Sequence, residues 1–375
     1  MRILVAPQEF KGSLTAQEAA AAIARGIGAA LPVAEVVALP LADGGPGTVD
    51  VLVRATGGDF RESPAHDPLG RPLKARWGVL GDGHTAVIEM AATSGLLLLN
   101  EDERDPTRTT TVGTGELLLA ALDARFRRII VGMGGSATND GGAGLAQALG
   151  VRLFDANGRD LPPGGAALAG LHRIDVSGLD ARVSETEVIA ATDVQNPLCG
   201  ADGASLVYGP QKGASTTVAH RLDAALAHYA EVIERELGLS IVDVPGAGAA
   251  GGLGAGLIAL CGASIEPGFD VIAKAVDLHA AIEHADVVIT GEGRLDRQSA
   301  FGKTTSGVSR LARAARTPVI ALAGEIERDA QDLFDAAFAL SPSLATPAEA
   351  KARAGDLLSA LAETQVVEWI VANNP

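Results

Sequence analysis

The densest chemistry in this sequence lies in GMGGSATNDGGAG, residues 132–144, which follows an apolar run at 128–131 and precedes helical spacing. A strand that ends in a glycine loop and feeds a helix presents free backbone N–H groups and a positive dipole end, a cradle for phosphate. Gly134, Gly135, Gly141 and Gly142 allow close backbone approach, Ser136 and Asn139 add neutral donors, and Asp140 adds a hard carboxylate of the kind that takes Mg²⁺. No lysine closes the loop, so it is not a P-loop. The competing reading is a tight strand-to-helix turn whose glycines serve packing. A second loop, ADGGPGT at 42–48, brings Asp43, Gly44 and Gly45 to the expected carboxyl end of a strand. That is where α/β sheets place ligands, although a capped helix start has the same look. A third, TGEGRLDRQS at 290–299 followed by Gly302-Lys303-Thr304, sets Glu292, Arg294 and Asp296 at alternate positions after a buried strand. These charges form either a binding set or a mutual ion-pair cluster.

Three weaker patterns follow. In TDVQNPL, residues 192–198, Asp193 ends an expected buried strand, as a base or as a turn cap, and Asn196 follows it. GPQKGA at 209–214 frames Gln211 and Lys212, and a lysine in that frame suits an anion. PGAGAAGGLG at 245–254 matches G-x-G-x-x-G by letter at Gly246, Gly248 and Gly251, with Gly252 behind. No clear strand precedes it, so it reads at least as well as a second anion-cradling helix start as it does as a dinucleotide fingerprint. Near the N-terminus Lys11 and Ser13 stand where the first strand feeds the first helix, to meet a phosphate or carboxylate or only water. There is no G-x-S-x-G elbow, no Ser/His/Asp arrangement and no zinc spacing. Glycine loops, lysines and carboxylates suit phosphoryl transfer, which needs positioning and charge neutralisation more than covalent help.

Such loops need rigid elements behind them. Residues 2–6 and 33–40 read as strands and 16–31 and 48–56 as helices, stopped by Pro32 and by Gly57 and Gly58. This β-α-β-α opening predicts a parallel sheet. Residues 59–91 are more polar, and segments 75–80 and 85–90 around Gly81-Asp82-Gly83 predict a hairpin. Helices are expected at 114–124, 143–149 and 216–237, strands at 128–133, 151–155 and 187–194, and a helix to about 260 after the glycine-alanine tract. The βα style returns with strands at 286–290, 318–323 and 334–340, a helix at 305–316, and Thr346-Pro347 opening the terminal helix. The fold class is α/β. One α/β domain made from both chain ends, 1–70 with 285–375, carries an inserted mixed domain at 71–284, and a site is expected in the cleft between them.

Composition narrows the function. The 375 residues hold 30 Lys and Arg against 46 Asp and Glu, a net charge of −16. That excludes a nucleic-acid surface. Hydrophobic residues at 47% exclude extended disorder, and aromatics at 3% leave the core to Ala, Leu, Val and Ile. No apolar run reaches the roughly 18–20 residues of a membrane span, and the opening MRILVAP is no leader. Two cysteines make no disulfide framework. A cytoplasmic protein with neither nucleic-acid nor membrane partners is expected. The 46 glycines are the outlier against a typical share of roughly 7%.

Nine segments in order, APQEFKGSLTA, LADGGPGT, IEMAATSGL, RDPTRTTTVGTGEL, GGSATNDGGAG, DVQNPLCGADGAS, YGPQKGAS, VPGAGAAGGLGAGL and ITGEGRLDRQSAFGK, resemble the bacterial glycerate kinase family over essentially the whole chain. The family includes the glycerate 2-kinases of glucarate and glyoxylate metabolism. The resemblance implies two α/β domains, the first flavodoxin- or Rossmann-like and the second inserted. It implies transfer of phosphate from ATP to D-glycerate with Mg²⁺, and 2-phosphoglycerate as product. The alternatives are a 3-phosphoglycerate product or another small hydroxy acid as acceptor. A nucleotide-dependent oxidoreductase rests only on the GAGAAG match. On this reading Gly134, Gly135, Ser136, Asn139, Gly141, Gly142, Gly248, Gly251 and Gly252 hold nucleotide phosphates. Lys11, Lys212, Arg294 and Lys303 are the cations for the glycerate carboxylate and the moving phosphate, and Asp193 or Asp296 takes the hydroxyl proton. Ser13, Asp43, Gly44, Gly45, Asn196, Gln211 and Lys303 line the substrate, while Asp140 or Glu292, or else Asp43, holds Mg²⁺. The partners are small molecules, and the assembly is a monomer or homodimer. Two departures stand out. Family members commonly carry Asp-Ser where this chain has Gln8-Glu9, and Glu where it has Pro46. Contacts made by those family carboxylates are altered here, with Glu9 a carboxylate at a neighbouring position.

Overall fold

The computed structural model describes residues 1–295, 304–342 and 344–373. They form two compact units, Met1–Asp43 with Phe269–Pro375, and Gly44–Gly268. The strands, in chain order, are β1 (Arg2–Val5), β2 (Glu35–Ala38), β3 (Asp59–His66), β4 (Pro72–Val79), β5 (Thr85–Glu89), β6 (Arg128–Gly132), β7 (Arg152–Phe154), β8 (Arg173–Asp175), β9 (Glu187–Ala191), β10 (Ser264–Glu266), β11 (Val287–Leu295), β12 (Val319–Ile326) and β13 (Ala336–Ala339). Among the described residues no helix is long and apolar enough to cross a membrane.

In the first unit the sheet order is β13-β12-β11-β1-β2, with every pairing parallel. Read from the other edge this is the doubly wound 2-1-3-4-5 arrangement of flavodoxin-type folds. β1 is interior: Ile3 pairs with Val36 on one side and Val287 on the other. An interior parallel strand is covered on both faces, which is why RILV is nearly all apolar. Helix Ala16–Ala30 opens on a capping box between Thr15 and Glu18. Its Gly26 permits close approach, since a Cβ there would lie 2.0 Å from the Ser359 carbonyl oxygen. Ile3, Val5, Ile23, Ile27, Ile289, Leu322 and Leu358 belong to the resulting core. Helix Pro347–Ala352 starts at Thr346 with Pro347 in its first turn, as its sequence predicts, and Glu349 completes a second capping box.

One element of this unit runs well past its sequence reading. β11 does not end at 290; it runs to Leu295 and stays paired with β12 as far as Leu295 and Ile326. The alternate spacing of Glu292 and Arg294, read as a charged loop, is the two-residue period of a strand. The glycines flanking Glu292 answer to neighbouring backbone: a Cβ on Gly291 would lie 2.2 Å from the Leu322 carbonyl oxygen, and one on Gly293 3.1 Å from the Lys11 nitrogen.

The second unit is built on a six-stranded sheet of order β10-β9-β6-β5-β4-β3, parallel from β10 to β5 and antiparallel beyond. The hairpin expected around Gly81-Asp82-Gly83 is present but pairs only two residue couples, Gly78 with Val87 and Val79 with Ala86. The longer ladder joins β4 to the polar β3, from Asp59 with Val79 to His66 with Pro72. Pro64 is tolerated because β3 is an edge strand. Helix Thr48–Thr56 packs on β4 and β5 in this unit. Helix Thr216–Leu237 runs from Ser215, whose side chain accepts from the Val218 N–H, to a left-handed Gly238. Helix Ala249–Cys261 begins with three consecutive left-handed residues, Ala250, Gly251 and Gly252.

Candidate functional site

In the first unit the chain order reverses between β1 and β11, and open α/β sheets take their ligands at the carboxyl ends flanking such a switch point. A cavity of about 510 Å³ lies there, lined among others by Glu9, Lys11, Ser13, Asp43, Glu292 and Arg294. Backbone bonds stitch its floor. Gln8 N–H donates to the Gly291 carbonyl at 2.8 Å, and Leu41 N–H to the Pro7 carbonyl at 2.8 Å. Glu292 is nearly buried and accepts a bond of 2.6 Å from the Thr305 hydroxyl. Arg294 is exposed and pairs with Glu327 at 2.8 Å. The Ser13 hydroxyl donates to the Phe10 carbonyl at 3.0 Å, within the turn that carries Lys11. Burial raises the Glu9 carboxyl above its ordinary value, Asp43 adds to the rise and Lys11 opposes it.

Two lining residues had no motif to announce them. Lys351 comes from helix Pro347–Ala352, and its ammonium reaches Gly12, where a Cβ would lie 3.0 Å from its Nζ. Glu325 comes from β12. Lys351 follows a predicted helix start, and Glu325 lies two residues past the strand expected at 318–323; neither pattern says what faces a cavity. Lys11, Arg294 and Lys351 thus share one cavity with Glu9, Asp43, Glu292 and Glu325. Asp296 and Lys303 lie outside the described residues.

In the second unit the carboxyl ends of β5, β6 and β9 carry Glu89, the start of the 132–144 loop, and Asp193. Asp193 is half-buried, two residues past β9. Glu89 was not anticipated, although like Asp193 it sits at the end of a buried strand. Its carboxylate accepts from the Val49 N–H at 2.7 Å and from the Gly47 N–H, at the N-terminus of helix Thr48–Thr56. That helix start already holds a carboxylate of its own chain, so it is not the anion cradle its glycines suggest. Gly44 and Gly45 are buried. A Cβ on Gly44 would lie 2.4 Å from the Ala191 carbonyl oxygen, and one on Gly134 would lie 2.5 Å from the Gly45 Cα.

The glycine loop itself divides in two. Gly134 is half-exposed and Gly135 exposed, whereas everything from Ser136 to Gly144 is buried. The buried part packs backbone to backbone on the other glycine tract. A Cβ on Gly251 would lie 1.9 Å from the Thr138 carbonyl oxygen, one on Gly252 2.9 Å from the Gly141 Cα, and one on Gly142 3.0 Å from the Gly256 Cα. Gly141 N–H donates to the Gly251 carbonyl at 3.1 Å, and a Cβ on Gly248 would lie 2.2 Å from the Pro197 carbonyl oxygen. Asn139 is buried and donates to Ser205 at 2.8 Å. The expectation that Asn139, Gly141, Gly142, Gly248, Gly251 and Gly252 cradle phosphate therefore gives way to packing. Gly134 packs as well, its N–H donating to the Gly44 carbonyl at 3.0 Å, which leaves the exposed Gly135 and the N–H of Ser136 at the loop's open end.

Asp140 is likewise placed away from a metal role. It is fully buried, and its carboxylate accepts from the N–H groups of Thr111 at 2.8 Å, Gly142 at 3.2 Å and Gly144 at 3.2 Å, and from the Thr111 hydroxyl at 2.9 Å. Lys212 is 1% exposed and its ammonium donates to the Thr138 carbonyl at 2.7 Å, so it faces the interior and not an anionic ligand. Asn196 has both ends of its amide engaged, donating to the Asp202 carbonyl at 2.8 Å and accepting from the Tyr208 hydroxyl at 2.9 Å. Gln211 is exposed in the turn before Lys212.

A doubly wound parallel sheet with a mixed-charge cavity at its switch point defines the class, an α/β enzyme with a small polar ligand. The comparison with known proteins is specific. Residues 3–370 match the Glycerate kinase family. The chain is similar to a glycerate kinase of Bacillus subtilis (strain 168), 50% identical over 353 residues that cover 93% of this chain and 92% of that one. It is also similar to a glycerate 2-kinase of Escherichia coli (strain K12), 48% identical with 93% of each chain covered. A chain from Salmonella typhimurium LT2, whose crystal structure is described as that of a glycerate kinase 2, superposes with a TM-score of 0.87 at 44% identity, covering 100% of both chains. The chain belongs to the glycerate kinase family and is a kinase.

Proposed function

We propose that the chain transfers the terminal phosphoryl group of ATP to the 2-hydroxyl of D-glycerate with Mg²⁺, giving ADP and 2-phosphoglycerate. The family match across residues 3–370 carries this reading. The Escherichia coli relative, named a glycerate 2-kinase, supports the choice of hydroxyl. Phosphoryl transfer asks for aligned groups and local positive charge. The switch-point cavity gathers three cations, Lys11, Arg294 and Lys351, among four carboxylates in a chain of net charge −16, which supports the reading. Lys11, Arg294 and Lys351 are assigned to the glycerate carboxylate and the transferring phosphoryl oxygens, and the Ser13 hydroxyl to the substrate. The open end of the glycine loop, at Gly135 and the N–H of Ser136, is assigned to nucleotide phosphates. Asp193 accepts the proton of the attacking hydroxyl, with Asp296 as the other candidate and Lys303 a further cation.

Asp43 and Glu292 present hard oxygen donors at the cavity, and Mg²⁺ typically binds through one or two carboxylates with water and substrate phosphates. When bound, the ion supplies charge neutralisation at the phosphoryl oxygens.

The test is ADP release by the purified protein with ATP, MgCl2 and a panel of hydroxy acids, with phosphorus NMR of the product. D-glycerate should be the preferred acceptor and 2-phosphoglycerate the product, with turnover lost on adding EDTA. A 3-phosphoglycerate signal would overturn the regiochemistry, and preference for another hydroxy acid would overturn the substrate.

A further inference from the structure

We propose that Lys212 is a positioning residue: its buried ammonium, with Asp140, braces the inner half of the glycine loop and thereby fixes the open end at Gly135 and Ser136. The functional part of this inference rests on the assignment of that open end to nucleotide phosphates. Lys212 ends the short turn Pro210–Lys212, and its Nζ donates to the Thr138 carbonyl at 2.7 Å. The same carbonyl oxygen backs onto Gly251, where a Cβ would lie 1.9 Å away. Three segments distant in sequence therefore converge on one carbonyl, two residues from Ser136.

Asp140, two residues further on, supplies the charge that makes a buried ammonium tolerable. It is the titratable group facing Lys212, and its charge acts to hold the ammonium protonated against the burial that lowers its pKa to about 7. Tyr229 of helix Thr216–Leu237 faces Asp140 from another side, where a Cβ on Gly141 would lie 2.7 Å from its ring. Asp140 also ties the loop to the start of helix Val112–Asp123 through the N–H and hydroxyl of Thr111, while the Leu145 N–H donates back to that hydroxyl at 3.0 Å. A buried lysine whose hydrogen bond runs to a carbonyl of the loop is a brace. A substrate contact would have to be reachable by substrate.

Hydrogen exchange of the substrate-free protein tests the brace without using the reaction. Lys212→Met should speed exchange of amides 138–144 at least tenfold relative to the parent, with peptides of β11 and β12 unchanged. The same variant should lower kcat at least tenfold below its melting temperature, and Lys212→Gln, which keeps a donor for Thr138, should recover part of both. If Lys212→Met does not fold, Lys212→Gln against the parent carries the test, with intermediate exchange expected. Parental exchange in the variant that folds overturns the brace. So does ATP-protectable acetylation of Lys212 in the parent, which would make it a ligand contact. Faster loop exchange with parental kcat overturns the functional half. A parent that fails to phosphorylate glycerate refutes the functional reading and leaves the exchange result standing.

Discussion

Gly251→Ala separates a packing glycine from a phosphate-binding one. Gly251 has φ +70°, and an added Cβ would lie 1.9 Å from the Thr138 carbonyl oxygen, so backbone must give by about an ångström. A left-handed non-glycine residue costs about 1–2 kcal/mol, and forcing atoms into a packed interior costs about 1–3 kcal/mol. The second unit should therefore lose about 2–5 kcal/mol, a shift of about 1–2.5 M in a urea midpoint at an m-value near 2 kcal/mol/M. Trp77 lies in the second unit and Trp369 in the first, so fluorescence in a Trp369→Phe background reports the second unit. Gly135→Ala is the contrast. Gly135 is exposed with φ +77° and an added Cβ meets side-chain atoms, the Pro46 ring at 3.1 Å and the Ala91 Cβ at 3.5 Å, so it should lose about 1–2 kcal/mol while raising KM for ATP. A Gly251→Ala protein with the parent's midpoint and a tenfold higher KM for ATP would refute the packing argument and restore the cradle.

Other perturbations have equally definite outcomes. Asp193→Asn should lower kcat by about 10²–10⁴-fold, the usual range for general base catalysis, with an unchanged unfolding midpoint; a kcat within twofold of the parent removes Asp193 as the base. Lys351→Ala should raise KM for glycerate or ATP roughly fivefold, as expected for an exposed ionic contact of about 1 kcal/mol, and two unchanged KM values would take Lys351 out of the site. Burial raises the Glu89 carboxyl above 4.5, with Asp50 adding to the rise and the amides of Val49 and Gly47 opposing it. The native state then keeps a proton that the unfolded chain has released, so stability falls as pH rises from about 4.5 through the raised native value. Glu89→Gln should flatten that fall in urea titrations across the window, and equal slopes in parent and variant would sink the assignment.

The sequence showed the framework more fully than the site. Helices Thr48–Thr56 and Thr216–Leu237 were legible to the residue, because both end at a glycine in the left-handed region. β11 was cut short because charges at alternate positions look like a loop when the partner strand is unknown. β3 was missed because an edge strand carries no continuous apolar signal. The switch-point set of Lys11, Ser13, Asp43, Glu292 and Arg294 was named from sequence and shares one cavity. Lys212 and Asp140 were named as well, but no local pattern says that a lysine or an aspartate is fully buried. The glycines misled in the same way: a Gly that meets backbone and a Gly that meets phosphate are written with the same letter.

The interior place of β1 also sets a schedule for making the protein. Ile3 pairs with Val287, and the first unit's sheet cannot close on that side until β11 has been synthesised. At about 5–20 residues per second the nascent chain holds its first apolar strand for roughly 15–60 s before that neighbour exists. The unit at Gly44–Gly268 is continuous and complete by then. Biosynthesis therefore runs from the middle outward, with RILV the segment most in need of shelter while it waits.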